Sequence, residues 1–254
     1  MRAVDFDVSP FLVIWETTQS CALACRHCRA SAQPGRDPGE LTTEEGRRVI
    51  DQVADMGTPL LVLSGGDPVN RPDLLDLIRH GKSRGLRMAT IPAATDCLTR
   101  DLVQDLKSAG LDQMAVSLDF PREEQHDSFR GVPGSYAKTM QAVKWAHEVG
   151  LPNVGVTIDV GHALAAYEIV GESIAILARA GNKLFHMHFN DNYRLWDDDM
   201  IVGSIHTVEY LEILYWLDRV GYEGYLSLDQ YPYRENPEGA IAESIKWLKA
   251  VSYT

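Results

Sequence analysis

The 254 residues predict an α/β protein, a TIM-like (βα) barrel of seven βα units, one fewer than a closed barrel normally has. Three observations carry this. Short apolar runs of strand length alternate with amphipathic stretches of helical period. Gly-Leu pairs recur where helices should stop, at Gly85-Leu86, Gly110-Leu111 and Gly150-Leu151. Chemistry-bearing residues gather just after the apolar runs, where a barrel presents the carboxyl ends of its strands. The length suits one barrel better than two small domains.

The first strand spans Phe11 to Thr17 and runs into a loop holding Cys21, Cys25 and Cys28. Leu41-Thr-Thr-Glu-Glu45 then opens a helix, with a hydroxyl cap and early acids. Leu60 to Leu63 is the second strand; it ends on Ser64-Gly65-Gly66-Asp67-Pro68, and Arg71 to Arg84 is its helix. Leu86 to Ile91 and Thr99 to Ala109 form the third unit. Gln113 to Leu118 is the fourth strand, joined by a longer loop to a helix over Ser135 to Val149. Val154 to Asp159 and Glu168 to Ala180 make the fifth unit. Leu184 to Phe189, a long loop and Thr207 to Val220 make the sixth. Tyr225 to Leu228 with Pro237 to Ala250 completes the seventh.

Composition narrows the function. The chain is 45% apolar and 24% charged, as ordinary soluble proteins are. Lys and Arg number 24 against 36 Asp and Glu, a formal charge of −12, so no basic stripe exists to displace phosphate counterions and a nucleic-acid partner is not expected. The opening MRAVDFDVSP lacks a signal-peptide pattern, and no apolar run approaches the length of a membrane span. No membrane is expected, and the compartment reading is cytoplasmic. There, four cysteines suit metal or redox work better than disulfides.

Three thiolates within eight residues can hold three irons of a cubane cluster and leave the fourth open to a ligand. A structural zinc knot is the plainer alternative, with His27 or Cys97 as fourth ligand; Cys97 otherwise reads as a buried apolar residue. A tight turn alone would explain Gly65-Gly66. Their place one βα unit after the cysteines points further.

Residues 1–150 resemble the radical S-adenosylmethionine enzymes. The resemblance rests on the spacing of Cys21, Cys25 and Cys28 after the first strand, on Gly65-Gly66-Asp67-Pro68 after the second, and on Ser117, Asp119 and Arg130 around the end of the fourth. Trp15-Glu16-Thr17 before the cysteines and Arg26-His27-Cys28-Arg29-Ala30 within them look most like the branch that modifies haem precursors or peptides. The resemblance implies a [4Fe-4S] cluster on the three cysteines. It implies S-adenosyl-L-methionine held at Gly65, Gly66, Asp67, Pro68, Ser117, Asp119 and Arg130, and reductive cleavage to a 5′-deoxyadenosyl radical. It also implies a small-molecule or peptide substrate and an electron donor such as a flavodoxin or ferredoxin.

Residues 151–254 are similar to the xylose-isomerase-like barrels of sugar isomerases and epimerases. Val154-Gly-Val-Thr-Ile-Asp159-Val-Gly-His162, Leu184-Phe-His186-Met-His188-Phe-Asn190-Asp191-Asn192 and Gly224-Tyr-Leu-Ser-Leu-Asp229 carry this resemblance. It implies a divalent cation (Mn2+, Co2+, Mg2+ or Zn2+) on Asp159, His188 and Asp229, with His162 on a sugar hydroxyl. His186 shares the face of His188 by period-two alternation and could contribute. The family's further Glu ligand is missing; only Asp119 stands in the corresponding place. The chain thus reads as two half-barrels, 1–150 and 151–254, joined near Leu151 into one barrel domain that is incomplete or chimeric.

Three functions follow from these resemblances: a radical enzyme, a divalent-metal sugar isomerase or epimerase, and a folded but inactive chimera. Elsewhere His80, His126 and His147 read as surface residues and Asp197-Asp198-Asp199 as a solvated loop. The aromatic-rich helix Tyr210 to Trp216 reads as packing.

Overall fold

The computed structural model describes residues 8–28, 30–150, 155–195, 198–230 and 235–252. They divide into two compact units, Met1–Pro152 and Asn153–Thr254. The expected join at Leu151 and the start of the fifth strand at Val154 lie outside the described residues.

The first unit is a parallel sheet of β1 (Leu12–Thr18), β2 (Leu60–Gly65), β3 (Arg87–Thr90) and β4 (Gln113–Met114), in chain order. β2 is an unbroken apolar run, Leu60 to Leu63, buried throughout, as a central parallel strand must be. It pairs with β1 from Leu12↔Leu60 to Trp15↔Leu63 and with β3 from Leu60↔Arg87 to Leu63↔Thr90. α1 (Thr43–Asp55) begins with the capping box read from the sequence. The Glu45 amide donates to the Thr42 hydroxyl and the Thr42 amide to the Glu45 carboxylate. α2 (Leu74–Ser83), α3 (Arg100–Ser108) and α5 (Ser135–Glu148) follow their strands. Ile50 and Val53 of α1, Leu74, Leu77 and Ile78 of α2, and Val103 and Leu106 of α3 close over Leu61, Leu63 and Met88. Each such side chain contributes about 1.5–3 kcal/mol of burial.

Two departures bear on the site. The fourth strand stops at Met114 rather than Leu118, its last ladder bond running from the Ala115 amide to the Thr90 carbonyl. The segment expected as a long loop contains α4 (Glu123–Arg130). Only His126 of this helix is buried, so it has no apolar stripe for periodicity to find. Its ends are nonetheless marked by Glu123 and Glu124 in the first turn, Arg130 in the last, and Gly131 at φ +71° beyond.

The second unit is a parallel sheet of β5 (Val156–Asp159), β6 (Leu184–Phe189) and β7 (Leu226–Leu228). α6 (Val160–Ala165), a turn not expected from the sequence, follows β5 without a loop because Asp159 caps it. α7 (Val170–Arg179), α8 (Thr207–Arg219) and α9 (Pro237–Val251) complete the unit. Met187, Phe189, Ile174, Tyr210 and Ile213 form its core, with Tyr210 edge-on to Phe189 at 5.4 Å, so the aromatic helix packs as expected. All seven strands expected are present among the described residues.

Arg71 ties the end of β1 to the first unit. It is 3% exposed, lies 5.7 Å over the Trp15 ring, and donates to the Thr17 and Leu41 carbonyls and to both oxygens of Asp73. Arg71→Met withdraws every one of these donors and leaves the part-buried Asp73 carboxylate with the Thr43 hydroxyl in place of its cation. It should lower the unfolding free energy by about 3 kcal/mol in urea titrations followed by circular dichroism.

Candidate functional site

The cysteine loop leaves β1 and is held from two sides. On one side lies the turn after β2. The Gly66 amide donates to the Thr18 carbonyl and the Asp67 amide to the Ser20 carbonyl, both at 2.7 Å. Asn70 adds bonds to the Ser20 carbonyl and hydroxyl. A Cβ on Gly66 would sit 2.6 Å from the Ser20 carbonyl oxygen and 2.7 Å from that of Gln19, and Gly65 has φ +120°. Glycines are therefore required by close backbone approach as well as by the turn. Asp67 is fully buried; its carboxylate accepts from the Thr95 hydroxyl at 2.7 Å and from the Ala93 and Val69 amides. Burial pushes its pKa up, against the pull of those donors. The Gly66 and Asp67 amides are thus paired within the protein, and Asp67 acts as a tie to the loop after β3.

On the other side lies the end of α4. The Ala24 amide donates to the Arg130 carbonyl and the Arg26 amide to the Phe129 carbonyl, both at 3.0 Å. His27 stacks on Phe129, ring centroids 4.4 Å apart. Each sulfur meets an N–H donor: Cys21 the Leu23 amide at 3.4 Å, Cys28 the Ala32 amide at 3.4 Å, and Cys25 the Arg130 guanidinium at 3.6 Å. Burial raises the pKa of Cys21 and Cys25; the Leu23 amide opposes it at the first, Arg130 at the second. Arg130 also grips Asp119 bidentately, at 2.6 and 2.9 Å. Ser117 is exposed nearby in sequence, after β4. Among the described residues the three thiols do not gather within 4.8 Å, with or without His27 or Cys97, as a single zinc ion would require. Three sulfurs on one loop that do not all lie within 4.8 Å of one another, each hydrogen-bonded, fit a larger thiolate-bound cluster.

In the second unit the sequence-named ligands do meet. Asp159, His188 and Asp229 bring one ligand atom each to within 4.8 Å of one another. His188 Nδ1 is 3.4 Å from Asp159 and 3.7 Å from Asp229. The hydrogen bond to Asp159 raises the His188 pKa against burial. Burial also opposes ionisation of Asp159, but its bond with His188 and the nearby His162 outweigh this and lower its pKa. His162 enters through α6, its amide donating to Asp159 at 3.1 Å. His186 lies edge-on to His188 at 5.1 Å and bonds to the Ser227 hydroxyl at 2.8 Å, so the shared face is real. Asp119, the substitute for the missing Glu, has its carboxylate taken by Arg130.

Residues 15–165 match the family model described as the radical SAM superfamily. The chain belongs to the radical SAM superfamily. Residues 99–251 match the xylose isomerase-like TIM barrel family, so the chain belongs to that family too, and the matches overlap over 99–165. An AdoMet-dependent heme synthase of Methanosarcina barkeri is 31% identical over 221 residues, 87% of this chain and 61% of its own. One from Oleidesulfovibrio alaskensis is 41% identical over 140 residues, 55% of this chain and 36% of its own. A PqqA peptide cyclase of Bradyrhizobium diazoefficiens is 33% identical over 143 residues, 56% of this chain and 37% of its own. The chain thus spans between 36% and 61% of the length of these three relatives. The fold is shared with a maturase of the [FeFe]-hydrogenase (TM-score 0.61, 17% identity, 91% of this chain and 54% of that one). It is shared also with methylornithine synthase (TM-score 0.60, 18% identity, 97% and 71%). Among the described residues no helix is long and apolar enough to cross a membrane.

Four bland readings of this radical SAM chain need correction. His126 is not a surface residue: it is 1% exposed, and the Asp119 amide donates to its Nδ1 at 3.2 Å, because α4 turns it inward. His80 is part-buried and bonded to Asp51 at 2.9 Å; His147 is exposed, as expected. Cys97 is exposed rather than buried, its amide turned back onto Thr95. Asp199 is buried and accepts from Asn190 at 2.7 Å, so it is no solvated loop residue; Asp197 lies outside the described residues.

The sequence reading missed the Asp191–His206 pair, 2.6 Å apart and buried. Arg194 joins it to Glu209, and the set closes the loop after β6. Nothing in local spacing announces partners that far apart; only the position of Asp191 after a strand hinted at it.

Gly65→Ala should cost about 3 kcal/mol of stability, since a side chain at φ +120° would also meet the Thr18 carbonyl. Gly85→Ala, at φ +83° with open space around it, should cost only about 1 kcal/mol. Urea midpoints of the two variants compare them directly.

Proposed function

We propose that this chain binds a [4Fe-4S] cluster through Cys21, Cys25 and Cys28 with S-adenosyl-L-methionine beside it, and works as a radical SAM enzyme on a small-molecule or peptide substrate. The observation that carries this reading is the donor set: three sulfurs on one loop, each facing an N–H group. A bound cluster supplies the electron that splits S-adenosylmethionine reductively. The chain's own residues hold the loop in place. Gly66, Asp67, Asn70 and Arg71 fix its first half, and the Phe129 and Arg130 carbonyls fix the backbone on either side of Cys25. Ser117, exposed beyond β4, remains available to the cofactor. Names of relatives, heme synthase and peptide cyclase, support haem precursors and peptides as the substrate classes to try first. A flavodoxin or ferredoxin would deliver the electron.

Anaerobic reconstitution should give about four irons and four sulfides per chain, and dithionite should then release 5′-deoxyadenosine from S-adenosylmethionine. Cys21→Ala, Cys25→Ala and Cys28→Ala should each abolish the release, and Cys97→Ala should leave it unchanged. A colourless protein holding zinc alone would overturn the reading.

A second reading rests on the cluster in the second unit. Asp159, His188 and Asp229 converge as a divalent-cation site should, with His162 and His186 beside it, which supports a metal-dependent step on a polyhydroxylated substrate. Calorimetric titration with Mn2+ or Co2+ should show one site per chain, weakened at least tenfold in Asp159→Ala. Equal binding by the two proteins removes this reading without touching the first.

A further inference from the structure

We propose that Arg130 tunes the reduction potential of the cluster by holding a guanidinium N–H on the Cys25 sulfur, with Asp119 as the group that aims it. The inference rests on the cluster reading above and goes beyond it, because it assigns Arg130 to the cluster itself.

Three observations converge. The guanidinium is fixed by two parallel bonds to Asp119, at 2.6 and 2.9 Å, and the remaining NH1 lies 3.6 Å from Cys25 Sγ. The side chains of Arg130 and Asp119 are 11% and 8% exposed, so solvent screens this charge little. The backbone is keyed in the same place. The Arg130 carbonyl accepts from Ala24 and the Phe129 carbonyl from Arg26, while a Cβ on Gly131 would strike the Ala24 carbonyl at 2.5 Å. Arg130 and Cys25 are therefore held to one another through main chain and side chain together.

The three sulfurs are not equivalent. Cys21 and Cys28 meet neutral backbone amides, whereas the donor at Cys25 is a cation. Hydrogen bonds to ligand sulfurs and local charge are what set iron–sulfur potentials, and a charged donor is about twice as strong as a neutral one. Reduction adds one electron and thus one negative charge to the cluster. A guanidinium on the sulfur favours that state and raises the potential. Asp119 fixes the direction of the guanidinium and tempers its charge.

The test is a redox titration of the reconstituted full chain with dithionite, followed by electron paramagnetic resonance. Arg130→Met should lower the midpoint by at least the 59 mV that corresponds to a tenfold loss in a one-electron equilibrium. Arg130→Lys, which keeps a cation but not the fork, should recover part of it. The double variant Arg130→Met/Asp119→Asn removes the uncompensated carboxylate and should still lie below the parent. Iron and sulfide counts on every variant establish that the cluster is present. A parent chain that takes up no cluster overturns the cluster reading. A parent with a cluster whose midpoint is unmoved in Arg130→Met and in the double variant overturns the role of Arg130 alone.

Discussion

Two backbone hydrogen bonds, from the Gly66 and Asp67 amides to the Thr18 and Ser20 carbonyls, are the constraint on which the first unit's site depends. They lock the cysteine loop onto the turn after β2 before any side chain is considered. The close approach explains both glycines, and it places Asp67 where only a buried role is left for it. Arg71 and Asn70 reinforce the same seam from the following turn. The two sequence hallmarks of this region, the cysteines and Gly65 to Pro68, are therefore one mechanical assembly.

The opposite wall is α4, a short polar helix with little intrinsic reason to stand alone. Its last carbonyls, which a helix leaves without internal partners, take the amides of Ala24 and Arg26. The cysteine loop thus adds two partners to an end that Gly131 already caps through Asp127, and the helix supplies Arg130 to the loop.

The second unit shows the same economy. Asp159 ends β5, caps α6 and stands beside His188, so one carboxylate serves strand, helix and candidate metal centre. Asn190 and Asn192 hold Gly161 by its amide and carbonyl, which keeps that turn in place. The two family matches overlap over residues 99–165 and so do not divide the chain at a single point. That overlap is reasonable where both families build parallel strands followed by helices.

Strand order and the helices other than α4 and α6, the Thr42–Glu45 cap, the shared face of His186 and His188, and the spacing of Cys21, Cys25 and Cys28 were all legible in the sequence. They are properties of neighbours along the chain, set by covalent spacing and by the periods of strand and helix. What the tertiary structure alone decided is which groups meet across long separations. Arg130 reaches Cys25 from 105 residues away. Asp67 turns inward to Thr95, and Asp191 pairs with His206. Such contacts depend on how elements stack, and no local pattern encodes them. The spacing of the cysteines could be read from the sequence, whereas the hydrogen-bond donor that meets Cys25 from α4 is placed by the fold.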